Sequence, residues 1–256
     1  MKRTIVSVVL LLLLCGMADH AAAEVQTTVS VKTWVNSWKQ KFTDTLNNQS
    51  ETVKSESAVP MVGPALTLKF DKTIFIGVTY LTSLSDYEFK STYTDPFAGV
   101  VNETDTNDRQ DLDLVAGYMF NPNIGLFVGY KKITSEGKFK ADTQFFGQIT
   151  GSFGSETLTG PGIGILGNVP LGESVILYGN IGYLKLKDEF KDAQAGTTET
   201  SNLTGYVAEL GFAFIINTNF SANVGYKHQA INSEEKNNQK VENTFSGLTA
   251  GINYTF

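Results

Sequence analysis

Asp111 and Asp113 are separated by one residue, so in a strand both carboxylates fall on one face. Two acids so placed can hold a water or share a proton, provided that a base or nucleophile stands beside them. The chain has two histidines, His20 and His228. His20 lies in an N-terminal segment read below as a leader. His228 sits in Tyr226-Lys227-His228-Gln229-Ala230, with no aspartate or serine next to it. It shares parity with Val224 and Tyr226, which places it on an apolar face away from the two aspartates. No Cys/His cluster exists to hold a metal, so neither a metal site nor a cofactor is expected. Gly160-Pro161-Gly162-Ile163-Gly164 is rich in glycine but falls inside a strand and opens no helix. It is expected to ease side-chain packing or bend the sheet rather than cradle a phosphate. With no catalytic constellation, the chain is expected not to be an enzyme.

The elements that carry these residues alternate with period two. Ile74, Ile76, Val78 and Tyr80 share one face, as do Leu112, Leu114, Ala116, Tyr118 and Phe120. Ile124, Leu126, Val128 and Tyr130 repeat the pattern, as do Tyr206, Ala208, Leu210, Phe212, Phe214 and Ile216. The opposite faces hold glycine, polar and charged residues. Tight connections at 71–73, 121–123, 170–173 and 217–219 alternate with long polar stretches at 41–57, 90–108, 132–156, 187–201 and 230–243. The spacing predicts ten strands over 25–40, 58–70, 74–89, 109–121, 124–133, 157–169, 174–186, 202–217, 219–230 and 244–256. Tyr80, Tyr130, Tyr183 and Tyr226 fall at matching places in alternate strands, and Phe70, Phe120 and Phe256 end the others. Two aromatic bands at two heights suit the two interfaces of a bilayer.

The reading is an all-β, closed, antiparallel up-and-down transmembrane β-barrel. Strands of about 10–12 residues at a tilt near 40° span roughly the 25 Å apolar band of such barrels. Closure leaves no unpaired edge in lipid. Eight strands, with 24–57 as an arm, is the architectural alternative, disfavoured because Val29, Val31 and Val35 also alternate. By parity the interior receives Lys32, Lys69, Asp111, Asp113, Lys131, Glu209, Asn223 and Lys227 as lumen-lining candidates. Unpaired charges in a narrow barrel are costly, so Lys32 or Lys69 is expected to meet Asp113 or Glu209. Trp34 and Trp38 share parity with Lys32, which points them inward unless a bulge intervenes.

Composition narrows the classes. The 256 residues carry a formal net charge of -6, with 18% charged residues, 41% hydrophobic residues and one cysteine. An acidic balance without a basic stripe argues against nucleic acid as a partner. Disorder and a disulfide scaffold are excluded, and no apolar run is long enough for a transmembrane helix. Lys2 and Arg3 before the apolar run Ile5 to Leu14, then Ala21-Ala22-Ala23, read as a signal peptide cleaved after Ala23. The rival, a lipid anchor on Cys15, is disfavoured by the bulky Leu14 before it. The mature barrel is then 24–256 and free of cysteine, as suits an oxidising compartment.

The chain ends Thr249-Ala250-Gly251-Ile252-Asn253-Tyr254-Thr255-Phe256. Thr249, Gly251, Tyr254 and Phe256 resemble the assembly signal of bacterial (Gram-negative) outer-membrane β-barrel proteins. That resemblance covers the mature chain as an architecture. It implies recognition by the barrel-assembly machinery, an outer-membrane location, and contact with lipid and lipopolysaccharide. An even strand number then puts both termini and the tight turns on the periplasmic side, with five loops extracellular. The loops hold Glu51, Glu56, Asp95, Glu103, Asp105, Asp108, Asp188, Glu189, Asp192, Glu234, Glu235 and Glu242, an acidic surface open to an extracellular ligand. Outer-membrane proteases of this strand number resemble an Asp-x-His pair plus an aspartate pair, and Tyr226-Lys227-His228 lacks the Asp. The expected activity is passive: a narrow pore for small solutes, or a structural surface barrel. The alternative is an adhesin or ligand-binding barrel acting through its acidic loops; a membrane-embedded hydrolase or acyltransferase is disfavoured.

Overall fold

The computed structural model describes residues 25–44, 49–233 and 239–256. The expected leader, 1–23, lies outside them, as do Glu234 and Glu235. Thirteen strands follow in order: β1 (Val25–Asp44), β2 (Gln49–Lys54), β3 (Val59–Phe70), β4 (Ile74–Ser83), β5 (Tyr87–Asp95), β6 (Gly99–Asn107), β7 (Gln110–Asn121), β8 (Ile124–Thr143), β9 (Gly147–Pro170), β10 (Val175–Asp192), β11 (Thr198–Ile215), β12 (Phe220–Ser233) and β13 (Gln239–Thr255). Ten of them, β1, β3, β4, β7, β8, β9, β10, β11, β12 and β13, form one antiparallel ring. β1 closes it, pairing β3 on one side and β13 on the other, with Val31 opposite both Pro64 and Ile252. That closure removes the eight-stranded alternative.

β2, β5 and β6 are continuations of the wall. β2 stays on β1, and the β5–β6 hairpin docks on β8. The stretches expected as loops are therefore largely strand. Residues 132–156 form the tops of β8 and β9 around a short turn, and 187–201 the tops of β10 and β11. At about 3.3 Å per residue the 24 residues of β9 run about 80 Å, roughly 60 Å of height at a 40° tilt, far beyond a 25 Å apolar band. The continuations were illegible as strand because both their faces are wet, which erases the apolar alternation.

The other end is tight. Asp71 and Lys72, at φ 47° and 62°, adopt the left-handed turn that matches strand twist, closed by the Thr73 N–H on the Phe70 carbonyl. Asn121 Oδ1 accepts from the N–H groups of Asn123 and Ile124, and Asn217 Oδ1 from those of Asn219 and Phe220. These are side-chain-closed turns of the kind that asparagine favours. Val25 pairs Phe70 and Thr28 pairs Thr255, so both ends of the described barrel lie here.

Parity sorts the faces as the alternation implies. Val31, Ile76, Leu114, Val128, Ile163, Ile181, Leu210, Val224 and Ile252 form an exposed outer belt. Tyr130, Tyr183, Tyr206 and Tyr226 are exposed on the same face towards the long-strand end. At the tight end Tyr118 meets Phe120, and Phe220, Tyr254 and Phe256 make edge-on contacts at 4.8 and 4.7 Å. The inner face closes on glycine where the wall is crowded. A Cβ on Gly164 would strike the Phe127 ring and the Ile181 carbonyl, and one on Gly160 the Lys185 carbonyl. The glycine-rich run of β9 thus makes room for side chains, as expected, and Pro161 points outward where no ladder bond is needed.

Candidate functional site

β7 and β8 place the charged centre. Their register sets Asp113 opposite Lys131 and Asp111 opposite Ile133. Arg109, just before β7, grips Asp111 with two bonds, Nε to Oδ1 at 2.7 Å and Nη2 to Oδ2 at 2.8 Å. Lys131 Nζ bridges Asp111 at 3.2 Å and Asp113 at 2.7 Å. Arg109 and Asp111 are each 1% exposed, so the pairing is what makes their burial tolerable. The guanidinium also lies 3.7 Å over the Phe245 ring and 5.4 Å from Trp34, and Lys227 Nζ lies 4.6 Å over Trp34. These cations trade hydration for ring faces.

A second group forms nearer the tight end. Glu209 accepts from the Tyr178 hydroxyl at 3.1 Å and the Thr249 hydroxyl at 3.0 Å. Asn223 donates to the Tyr178 oxygen and accepts from Asn253. The pairing expected for Lys32 and Lys69 does not occur. Asp113 goes to Lys131 and Glu209 to neutral hydroxyls, while Lys32 and Lys69 face inward on β1 and β3 without an ion pair among the described residues. Register decides this, because β7 and β8 are hydrogen-bonded neighbours, whereas β3 reaches Asp113 only across β4. Arg109 was not singled out from sequence. Two signals could have found it: it is the only arginine of 24–256, and it shares parity with both aspartates.

Around the charges the lumen is filled by apolar side chains. Trp34, Trp38, Val59, Met61, Leu81, Tyr87, Phe89 and Phe245 form one buried cluster, and Ile133, Leu158, Leu184, Leu186, Leu203 and Ile231 another. Together they draw on nine of the ten ring strands, and β7 supplies Asp111 with Arg109. Trp38 stands at the centre, with Tyr87 and Phe89 edge-on at 5.5 and 5.3 Å and Phe245 at 5.0 Å. Its Nε1 donates to Asn243, and the Tyr87 hydroxyl donates to Asn36. Both tryptophans face inward, as parity implied. A cavity of about 10 Å³ remains between Arg109, Glu156, Ser135 and the ring of Trp38, the room of one water.

The long-strand end rises above this layer as a cup. Phe42, Val53, Phe89 and Phe153 line a cavity of about 320 Å³ there, with Asp105 and Asn107. Burial, helped by Glu103, pushes Asp105 up to about 6. Burial, then Asp188, pushes Glu156 up to about 7 against the pull of Arg109. Among the described residues no cluster of three or more His, Cys, Asp or Glu could hold a metal. His228 stands on the outer face, its Nε2 3.2 Å from the Tyr206 hydroxyl, and Asp111 is committed to Arg109 and Lys131.

The model of the outer membrane protein beta-barrel domain family matches residues 77–256, more than half of the chain. The chain belongs to that family. An outer-membrane location follows. The fold is similar to that of the outer membrane protease OmpT of Escherichia coli, with a TM-score of 0.63 at 17% identity over 90% of this chain and 97% of that one. At that identity the likeness is one of fold. Neisserial surface protein A (TM-score 0.38, 12% identity, 89% of this chain and 97% of that one) is also similar. So is the attachment invasion locus protein Ail of Yersinia pestis (0.30, 12%, 91% and 99%). No curated protein sequence matches the chain.

Proposed function

We propose that this outer-membrane barrel is a non-conducting, non-catalytic surface protein that acts through its cup. The observation that carries the reading is the closed lumen: a buried apolar layer fed by nine ring strands, sealed on the tenth by Arg109 and Asp111. A pore needs a wet path, and a layer containing Trp34 at 0% exposure offers none. Of the two passive readings of the sequence, the layer favours the surface barrel over the pore. The non-catalytic reading is supported by the commitment of Asp111 to two cations and by His228 facing lipid.

The chain is cut after Ala23, its termini and tight turns lie in the periplasm, and its cup faces outward. The alternation of short and long connections supports that orientation. Lipid and lipopolysaccharide surround the belt and rim. Thr249, Gly251, Tyr254 and Phe256 serve the barrel-assembly machinery; Tyr254 and Phe256 on the outer face at the tight end suit that role. Thr249 has a second task in the lumen, donating to Glu209. The test is conductance of protein extracted from membranes of cells expressing the full chain. Silence supports the reading, and steady ohmic current in the native protein overturns it.

A further inference from the structure

The ring opens above the apolar belt. β3 and β4 are neighbours in the barrel, yet their continuations β2 and β5 part. Among the described residues β2 pairs only β1, and β5 pairs only β6. Among the described residues one backbone bond, from the Glu56 N–H to the Glu88 carbonyl at 2.8 Å, joins them at the base. Beyond it two strand edges border a notch. Backbone groups alternate sides along a strand. Ser55 donates to Trp38 on β1 while Glu56 donates towards β5, so Lys54, Thr52 and Ser50 turn their backbone groups to the notch. Glu88 fixes the same parity on β5 for Lys90, Thr92 and Thr94.

The floor of the notch is the 320 Å³ cavity lined by Phe42, Val53, Phe89 and Phe153. Asp105 stands in that lining with its Oδ1 sealed from solvent and no hydrogen-bond partner. Lys90 also lines the cavity, but its Nζ lies 3.9 Å from Glu56, and among the described residues it forms no bridge to Asp105. Around the notch the acids Glu51, Glu56, Glu88, Asp95, Glu103 and Asp105 outnumber Lys39, Lys41, Lys54 and Lys90. Unpaired edges are templates for another strand. Strand addition takes its affinity from the backbone and its selectivity from the pockets beneath alternate side chains. A pocket whose four apolar side chains stand beside Gln40, Ser91, Asn107 and an unpartnered carboxylate suits a side chain with a long apolar stem and a cationic head.

We propose that the notch binds an extended polypeptide segment of another protein, which adds as a strand along the β5 edge and sets a basic side chain into the cavity against Asp105. This rests on the surface-barrel reading, because the notch must open outside the cell.

The test uses protein extracted from membranes of cells expressing the full chain. The probe is the fluorescein-labelled hexapeptide Val-Arg-Val-Arg-Val-Arg, read by anisotropy. One control replaces its arginines by glutamate, and a second carries N-methyl groups on alternate amides. The native protein binds the arginine peptide and neither control. Asp105→Asn weakens binding about 10-fold or more through loss of a charge-assisted bond. Thr92→Pro deletes one edge N–H, leaves the β5–β6 ladder whole, and weakens binding about 5-fold. Hydrogen exchange slows at 88–94 and not at the tight turns. Both variants keep the native far-ultraviolet dichroism, which separates lost binding from lost folding. Absence of binding, equal binding of either control, or variants that bind as the native protein does would overturn the inference. A non-conducting protein that ignores the peptide sinks this inference alone, whereas a conducting one sinks the reading beneath it.

Discussion

Glu156 lies on β9 above the apolar belt, beside the small cavity lined by Trp38, Arg109, Leu158 and Phe245. Burial first, and the Asp188 carboxylate second, push its carboxyl from the ordinary 4.5 to about 7. The unfolded chain therefore loses this proton at lower pH than the folded chain does. Below about pH 4 both states hold it and Glu156 costs nothing. Between about 4.5 and 7 stability falls, and above 7 the whole cost is present. The distance from 4.5 to about 7, at about 1.4 kcal/mol for each tenfold change in proton affinity, gives about 3 kcal/mol as the ceiling. Glu156→Gln removes the charge and keeps the shape. At pH 8 it is expected to stabilise the barrel by about 2–3 kcal/mol, moving the urea midpoint up by about 1 M for a slope near 3 kcal/mol/M. At pH 4 the midpoints of variant and native protein coincide. Urea titrations in detergent at the two pH values, followed by tryptophan fluorescence, read this directly. An equal gain at both pH values, or none at pH 8, refutes the reasoning.

Other perturbations address the same architecture. Asp111→Asn leaves Arg109 and Lys131 buried without the carboxylate they share, and is expected to cost about 3–5 kcal/mol, read as a lower urea midpoint. Gly247→Ala puts a Cβ into the Val35 carbonyl across the β1–β13 seam, costing about 2–3 kcal/mol or blocking closure outright. Heat-modifiable mobility in electrophoresis reports both outcomes. Deleting Phe256 is expected to lower the folded, membrane-inserted fraction while urea-refolded protein keeps its stability, which separates assembly from folding.

The barrel was legible because each spanning strand meets two different solvents. Ile74-Phe75-Ile76 and Leu126-Phe127-Val128 keep an apolar face for the outside of the ring and another for the lumen, so period two survives in the sequence. The tight turns were legible from Asn121-Pro122-Asn123 and Asn217-Thr218-Asn219, whose side chains cap their own backbone. The upper wall was not, because residues such as Thr104, Lys138 and Thr150 meet water, and nothing selects apolar partners for them. The lumen residues could be assigned to a face but not to partners. Partnering needs register and height, and these bring Asp113 to Lys131 on the next strand rather than to Lys32 or Lys69. The sealing layer was hidden for a further reason. Trp34, Phe89 and Phe245 lie far apart in sequence, as do Leu158, Leu186 and Ile231, and only the closed ring collects each set into a cluster.

The closed lumen is tested most directly by single-channel recording in planar bilayers, with a Trp34→Ala/Trp38→Ala variant beside the native protein. The native barrel is expected to stay silent across salts and voltages, and the variant, with the centre of the layer removed, to leak. Steady, reproducible conductance steps from the native protein would contradict the account.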